Sequence, residues 1–425
     1  EKIEEEISKE KIILFKQAFK IKVEESELEH VRALRREEEK IFSRLLELNS
    51  EIERLERDSY LELLVMREKL QNIIQKTGAL ANFGAMPHTF VLGCWAARKN
   101  TDRVIRALDR ATDNSCIIVT EEVKPGEEAP TLLENPWFIK PYEILTESYG
   151  VPKYGEVDPT PILAITFTAF FGIMFADIGY GITLSFLSLI VFIKTTKADV
   201  FQKNLNLILL YAGTASFVFG LLFGEFFGGL MKVAPLWREP VENIELLFLL
   251  SMSVGISHIS ISILSRSVSD FLGGRAMWYP LSLLVVLWSG VFLVALSSYY
   301  ARYTMVLGIA LLLAGKRIEA LEELLVLCAN IISYSRIAIL CLLHVTIARL
   351  LVSALLFLPA GILGIITGAA LFLFGVVLIL ASGVFLVFIH SLRLHWLEFF
   401  KRFYSGVGER FKPFAARREY TYVMR

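Results

Sequence analysis

Twelve ionisable residues lie inside stretches that are otherwise apolar: Asp177, Glu225, His258, Glu322, Glu323, Arg336, His344, Arg349, His390, Arg393, His395 and Glu398. A charged group at mid-bilayer costs on the order of 3 kcal/mol on insertion scales, so each such residue needs a partner or a task. Arg336 is the most informative of them. It stands 19 residues after Arg317 and 22 before Leu358, too far from either end of its apolar stretch to reach water easily. A guanidinium also keeps its proton at any physiological pH. A permanent cation fixed at mid-depth is what an ion path requires if a passing carboxylate must release its ion there.

The neighbours of Arg336 extend this chemistry. On a continuous helix Glu322 falls roughly 40° from Arg336 and about four turns away, with Ser333 and His344 within about 80° of it. One side of that helix then carries a polar line. In the next apolar stretch His390 and Arg393 are one turn apart, and Ser382 lies about 20° from the direction of Arg393. The alternative is structural: a buried ion pair, Arg336 with Glu322 or Arg393 with Glu398, that only holds a bundle together. His395 and Glu398 stand near the end of their stretch and read first as interfacial residues. In straight antiparallel helices Arg336 and Arg393 would differ in depth by about 16 Å, so their meeting requires a tilt or a break.

Positioning such residues takes membrane helices, and the composition supplies them. The 425 residues are 54% hydrophobic with zero formal net charge and a mean hydropathy of +0.53. These values exclude a disordered chain and an ordinary soluble domain. The charge is unevenly spread: residues 161–425 hold only 13 of the 44 acids and 20 of the 44 bases. The sequence therefore predicts a mainly α fold, a polytopic membrane bundle preceded by a polar head. Spans are expected at about 161–175, 178–194, 204–224, 245–265, 279–298, 303–315, 319–357 and 361–403, a crossing taking roughly 20 residues. The last two exceed a crossing and must tilt, bend or project.

Basic residues of the loops set the orientation. With the head inside, Lys194, Lys197, Lys203, Arg266, Arg275, Lys316 and Arg317 fall on the cytoplasmic side. So does the basic tail from Lys401 to Arg418, while Glu239 and Glu242 with Lys232 and Arg238, and the uncharged stretch around Leu358, face out. Eight spans with both termini cytoplasmic fit this partition, and Lys316 and Arg317 read as interfacial anchors.

The chain divides into three regions: residues 1–79 as a coiled-coil helix, 80–160 as a small α/β lobe with its linker, and 161–425 as the membrane domain with its tail. In the first, Ile41, Leu45, Leu48, Ile52 and Leu55 alternate in steps of four and three, and the seam resumes at Leu63, Met66, Leu70 and Ile73. Such a seam wants a partner helix, which the rest of the head does not supply; the alternative is a solvated, charge-rich helix packed on its own domain. In the lobe, Thr89–Ala96 and Cys116–Thr120 read as strands flanking a helix that starts at Thr101 as its N-cap. The first residues contain no apolar run of signal-peptide type, and the chain is expected to be part of a longer protein.

Other chemistries are excluded by pattern. The four cysteines (Cys94, Cys116, Cys328, Cys341) form no CxxC pair. The stretch around Gly315-Lys316-Arg317 lacks phosphate-loop spacing and the Ser or Thr that should come after the lysine. Basic residues of the head are interleaved with acids, which argues against nucleic acid. No cofactor or metal site is expected.

Four segments together resemble a known family. Tyr149–Pro161, followed by Phe170-Phe-Gly-Ile-Met-Phe-Ala-Asp-Ile-Gly-Tyr-Gly181, is similar to the start of the membrane domain in the stator subunit of rotary V/A-type ATPases (subunit a, or subunit I in archaea and bacteria). Ser333-Tyr-Ser-Arg-Ile-Ala-Ile-Leu340 resembles the family's Ser-Tyr-x-Arg segment. His390-Ser-Leu-Arg-Leu-His-Trp-Leu-Glu-Phe399, with Phe403–Gly408 and Phe411–Phe414, resembles its closing motif. The resemblance spans about 140–414, and the head matches more loosely.

The resemblance implies that Arg336 faces a rotating carboxylate ring, that Arg393 is its companion, and that Glu322 and His344 occupy polar positions around two ion half-channels. Ser333, Ser382, His390 and Glu398 complete the candidate set. One position departs: Gly383 stands where eukaryotic members usually carry a glutamate, which favours an archaeal or bacterial type in a plasma membrane. The implied partners are the proteolipid c-ring, peripheral-stalk coiled coils, central-stalk and ATPase head subunits, and the bilayer. The implied function is coupling of H+ or Na+ passage to ATP hydrolysis or synthesis, with no catalysis by this subunit itself. Two rivals remain from other classes, a self-contained secondary transporter and a structural membrane anchor. The sequence shows no internal repeat of the kind the first requires.

Overall fold

The computed structural model describes residues 25–124, 127–195, 200–296, 299–316, 319–359, 361–416, 418 and 420–421. The chain is mainly helical and divides into two compact units, one from residues 1–94 and 413–425 and the other from Trp95–Lys412.

The first unit is dominated by α1 (Glu25–Leu80), 56 residues, or about 84 Å at helical rise. Without proline, and with glycine only at position 78, nothing in α1 interrupts its hydrogen-bond ladder. Its apolar seam stands exposed, from Ile41 and Leu45 through Leu55 to Leu70 and Ile73. Residues 1–24 of the expected helix lie outside the described residues. Glu68 on α1 is buried, accepting the Tyr420 backbone N–H at 2.7 Å and the Thr421 hydroxyl. Strands β1 (Phe83–Ala85) and β2 (Phe90–Leu92) form an antiparallel hairpin with Phe83 opposite Leu92.

The expected strand–helix–strand lobe takes another form. The first strand shrinks to β2 and pairs backwards in its hairpin, and Cys116–Thr120 is not a strand. Ile117 and Val119 are exposed; an apolar run becomes a strand only against a neighbouring edge, and among the described residues this run pairs with none. The helix between them, α2 (Thr101–Ala111), starts from a 3-10 turn at Arg98–Asn100, so Asn100, not Thr101, is the residue at its cap.

The second unit continues through α3 (Glu143–Tyr149), α4 (Thr160–Met174), α5 (Ile178–Lys194), α6 (Val200–Phe223), α7 (Ile244–Leu272), α8 (Trp278–Leu296), α9 (Tyr299–Lys316), α10 (Glu319–Ser333), α11 (Ser335–Leu355) and α12 (Ile362–Arg393). Among the described residues four helical stretches are long and apolar enough to cross a membrane: Val200–Phe223, Ile244–Leu272, Glu319–Leu355 and Ile362–Arg402. α4, α5, α8 and α9 are apolar but shorter. The side chain of Lys316 and the whole of Arg317, expected as anchors, lie outside the described residues.

Three irregularities shape this unit. Between α4 and α5 the chain turns at Asp177, whose carboxylate caps α5 through Tyr180 N–H at 3.0 Å. The same carboxylate binds Phe227 and Gly228 N–H, both at 3.0 Å, in the loop after α6. Gly220 lets α6 approach this turn, for a Cβ there would sit 2.4 Å from Ile178 N. The second irregularity is Tyr334, which separates α10 from α11 through i+3 bonds to Ile331 O and from Ile337 N. The third is a π-turn, Leu394–Phe399, that continues α12 and is succeeded by a 3-10 turn at Phe400–Arg402. The core around them is aromatic: Phe167, Phe170, Phe171, Phe175, Tyr180, Tyr334, Phe399 and Phe400 are all fully buried.

The end of the unit returns to its beginning. Tyr404 donates its hydroxyl to Gly150 O at 2.5 Å, and the Gly408 and Phe411 amides donate to Val151 O and Thr131 O, both at 2.9 Å. Gly150 (φ 155°) admits this contact, since a Cβ would fall 2.1 Å from Gly406 O. Arg410 pairs with Glu147 at 2.9 Å beside it.

Candidate functional site

α11 begins one residue before the cation of interest. Arg336 donates through Nη1 to Glu398 Oε1 at 3.1 Å, joining the start of α11 to the π-turn after α12. The arginine side chain keeps 26% of its surface accessible, the glutamate 5%. Neither ion pair weighed from the sequence forms. A single continuous helix would have put Glu322 on the same side as Arg336, but the Tyr334 turn ends that wheel. Glu322 is exposed on α10 and makes no ion pair among the described residues. Glu398, expected at the interface, is instead the buried carboxylate of the site.

The π-turn explains why Arg336 meets Glu398. It inserts an extra residue into the turn, swinging the downstream residues by about 100° relative to a regular helix. Arg393 is exposed and forms no ion pair among the described residues, although it acts electrostatically on both His390 and Glu398. Ser333 lies beside Glu398 and donates its hydroxyl to Ala329 O at 3.1 Å. His390 is half-buried, and its Nδ1 has no hydrogen-bond partner among the described residues. Ser382, farther back on α12, is exposed and bonds to Leu378 O at 2.6 Å. The other five of these residues gather where α10 meets α11 and where α12 ends.

Glu322 and His344 lie apart from that group. Glu322 lines a cleft of about 1420 Å³ together with Arg266, Asp270, Glu323, Asn330, Leu397 and Arg402. Asn330 and Leu397 bring its wall within one turn of Ser333 and next to Glu398. His344 is fully buried in aromatic surroundings, its ring 4.1 Å from that of Phe175 and 5.2 Å from that of Tyr180. Phe175 also accounts for Gly383: a Cβ there would meet the ring at 2.6 Å. A carboxylate at position 383 would have to displace the ring that packs against His344.

A second charged centre pairs residues that the sequence presents separately. Arg349, one-third accessible, binds both the fully buried Glu225 and the half-buried Glu239. Asp177 lies near enough to Glu225 to interact electrostatically, and the Ile178 amide donates to Glu225 O at 2.9 Å. Sequence separation hides this triad, since Glu225 is 124 residues from its arginine. Asp177, whose glycine neighbours hint at a broken transport helix, is spent on capping. Among the described residues no group of His, Cys, Asp or Glu could hold a metal ion.

Outside the apolar helices burial acts on the clasp at residues 147–150 and 404–411. It raises the Glu147 carboxyl above its ordinary range despite the nearby Arg410. It also raises the phenols of Tyr142 and Tyr404.

Apolar helices of crossing length, with ionised groups buried between them, define a helical membrane protein. The profile of the V-type ATPase 116kDa subunit family matches residues 25–240 and 312–416, and the chain belongs to that family. It is similar to A-type ATP synthase subunit I of Methanothermobacter thermautotrophicus, 29% identical over 408 residues, covering 92% of this chain and 60% of the relative. Subunit I of Pyrococcus abyssi is 30% identical over 390 residues, covering 85% and 59%. That of Pyrococcus horikoshii is 30% identical over 429 residues, covering 94% and 62%. The chain thus spans about 60% of the length of these relatives.

Proposed function

We propose that this chain is the ion-conducting stator subunit of a rotary A-type ATPase or ATP synthase, without catalytic activity of its own. The observation that carries the reading is the Arg336–Glu398 pair: a guanidinium held by one buried carboxylate and still one-quarter accessible. A cation so held can receive a second carboxylate arriving from a rotating ring. In lipid a ring carboxylate stays neutral and keeps its ion; beside Arg336 the ionised form is favoured and the ion leaves. The fixed charge also opposes direct leakage between two offset half-channels.

The cleft at Glu322, ending near Ser333 and Glu398, supports a half-channel from the cytoplasmic side. His390, Arg393 and Ser382 would border the ring-facing surface of α12, and His344 would stand on the outward side of Arg336. In this reading eight helices cross the membrane, with both termini cytoplasmic in the plasma membrane of an archaeon or bacterium. Residues 1–79 act as a strut, 80–160 as a small lobe and linker, and 161–425 as the membrane domain. Its partners are the c-ring, the peripheral-stalk coiled coils, which would cover the exposed seam of α1, and the central-stalk and ATPase head subunits. The transported ion is H+ or Na+, driven at about 2.3 kcal/mol per charge per 100 mV.

The same ion pair favours one rival, in which Arg336 and Glu398 merely hold an anchor together. ATP-driven ion uptake by the whole complex in proteoliposomes, wild type beside Arg336→Ala, separates the two. The stator reading expects intact assembly with uptake at background; uptake at the wild-type rate would sink it.

A further inference from the structure

α7 touches both irregularities that bring Arg336 to Glu398. Gly255, His258 and Ser262 stand at i, i+3 and i+7 and therefore share one helix face. Gly255 admits the Tyr334 ring, for a Cβ there would fall 2.6 Å from its Cγ. His258 Nδ1 shares a 2.7 Å hydrogen bond with the Tyr334 hydroxyl. The same imidazole stacks on Phe399 at 4.3 Å, with 7° between the ring planes, and lies 4.9 Å from the ring of His395. Ser262 donates its hydroxyl to Phe399 O at 2.8 Å, satisfying a carbonyl at the end of the π-turn.

The opposite side of the π-turn is fixed as well. A carbonyl can only accept, so His395 donates Nδ1–H to Ser391 O at 2.7 Å. Its Nε2 shares a 2.7 Å hydrogen bond with the Thr166 hydroxyl of α4, which also bonds to Ile162 O. His258, Tyr334, His395 and Phe399 are all buried.

We propose that the α7 face of Gly255, His258 and Ser262 is a positioning clamp that holds the Tyr334 turn and the π-turn in one register, and so sets Arg336 against Glu398. The clamp deepens the stator reading and rests on it. Among the described residues none of its three members forms a hydrogen bond or ion pair with Arg336, whose partner is Glu398. Each acts on a place where the backbone leaves the α-helix, two residues before Arg336 on one side and within the turn that carries Glu398 on the other. Were the π-turn to relax to a regular helix, Glu398 would swing by about 100° and leave the arginine.

The test measures ATP hydrolysis and ion uptake on the same proteoliposomes of the whole complex, with assembly checked. His258→Ala removes both the stack and the hydrogen bond, and ions moved per ATP are expected to fall about tenfold or more, the order expected for a small misplacement of acting groups. Tyr334→Phe and Ser262→Ala each remove one hydrogen bond and are expected to lower the ratio about three- to fivefold. His258→Asn, which keeps a hydrogen-bonding atom near the Nδ1 position, is expected to recover part of the loss.

A double-mutant cycle isolates the route of the effect. If the clamp acts through the ion pair, His258→Ala with Glu398→Gln is no worse than Glu398→Gln alone. Multiplying effects would overturn the proposal, as would unchanged coupling in Tyr334→Phe and Ser262→Ala should His258→Ala not assemble. Arg336→Ala, run alongside, separates the two ideas. Normal uptake there sinks the stator reading and the clamp with it; uptake lost in Arg336→Ala but intact in every clamp variant sinks the clamp alone.

Discussion

Two arginines on α11, 13 residues or about 20 Å apart, hold their carboxylates in different ways. Arg349 is gripped by two glutamates that arrive from the segment after α6, and the loop that delivers them is tied down by Asp177. Arg336 has one glutamate, which comes from a π-turn. The first arrangement neutralises its cation more than once and ties α11 to the loop after α6. The second leaves a cation with free valence between two backbone irregularities. A buried ion pair is therefore ambiguous by itself; on the proposed function, the number of carboxylates and the regularity of the backbone presenting them separate the staple at Arg349 from the working charge at Arg336.

The widest gap should appear in transport. On the proposed function Arg336→Ala abolishes ion uptake and leaves the complex assembled, whereas Arg349→Ala acts first on stability. It strands Glu225, and the loss of one partner of such a pair costs about 3–5 kcal/mol. The expected result is a lower melting temperature and less folded protein in detergent. Arg349→Met combined with Glu225→Gln should restore much of that loss, as no lone charge is then fully buried; if the double variant melts no higher than Arg349→Ala, the staple interpretation fails.

Smaller effects sharpen the same contrast. Asp177→Ala removes three amide contacts at the cap of α5 and the loop around Gly228, each bond to a charged acceptor contributing about 1.5–3 kcal/mol. Limited proteolysis at residues 224–229 should accelerate, while cleavage near Tyr334 should not change. Gly228→Ala should do the same from the other side, because φ is 64° and a Cβ would meet Ala348 C at 2.2 Å.

The smallest effect lies in the clasp. Burial holds the Glu147 carboxyl above its ordinary value, so protonation favours the folded clasp. That contribution is complete below the unfolded value of about 4.3 and is lost as pH rises through the raised folded one. Hydrogen exchange at the Gly408 and Phe411 amides, corrected for the intrinsic rate, should show more opening as pH rises from about 4. Glu147→Gln should flatten that slope.

Much of the helical skeleton was legible because apolar runs of helical length announce themselves locally. Arg336 was legible for the same reason, a permanent charge far from either end of such a run. Its partner was not, because the wheel that selected Glu322 assumes one unbroken helix, and Ser333-Tyr-Ser335 interrupts it. The signal was present in those two hydroxyls and a tyrosine in the middle of an apolar stretch, residues that mark polarity on a helical wheel and here also mark a backbone break. Cys116–Thr120 failed for the opposite reason. Its residues favour a strand, yet strands are made by neighbours, and among the described residues this run pairs with none. The triad of Arg349, Glu225 and Glu239 is long-range and leaves no periodic trace.

The return of residues 404–411 to Gly150, Val151 and Thr131, and of His395 to Thr166 on α4, also bears on how the molecule is made. Among the described apolar helices α4 is made first, and one face of it, Thr166, Phe167 and Phe170, completes its packing only against Phe388 of α12 and His395 of the π-turn, which are made much later. At roughly 5–20 residues per second the interval is on the order of tens of seconds. Throughout it, the face of α4 that meets Phe388 and His395 lacks those two partners, while the Thr166 hydroxyl keeps its bond to Ile162 O. α4, α5 and α6 can pack on one another as they emerge, but that one face of α4 stays open to lipid or to other proteins until the π-turn is made.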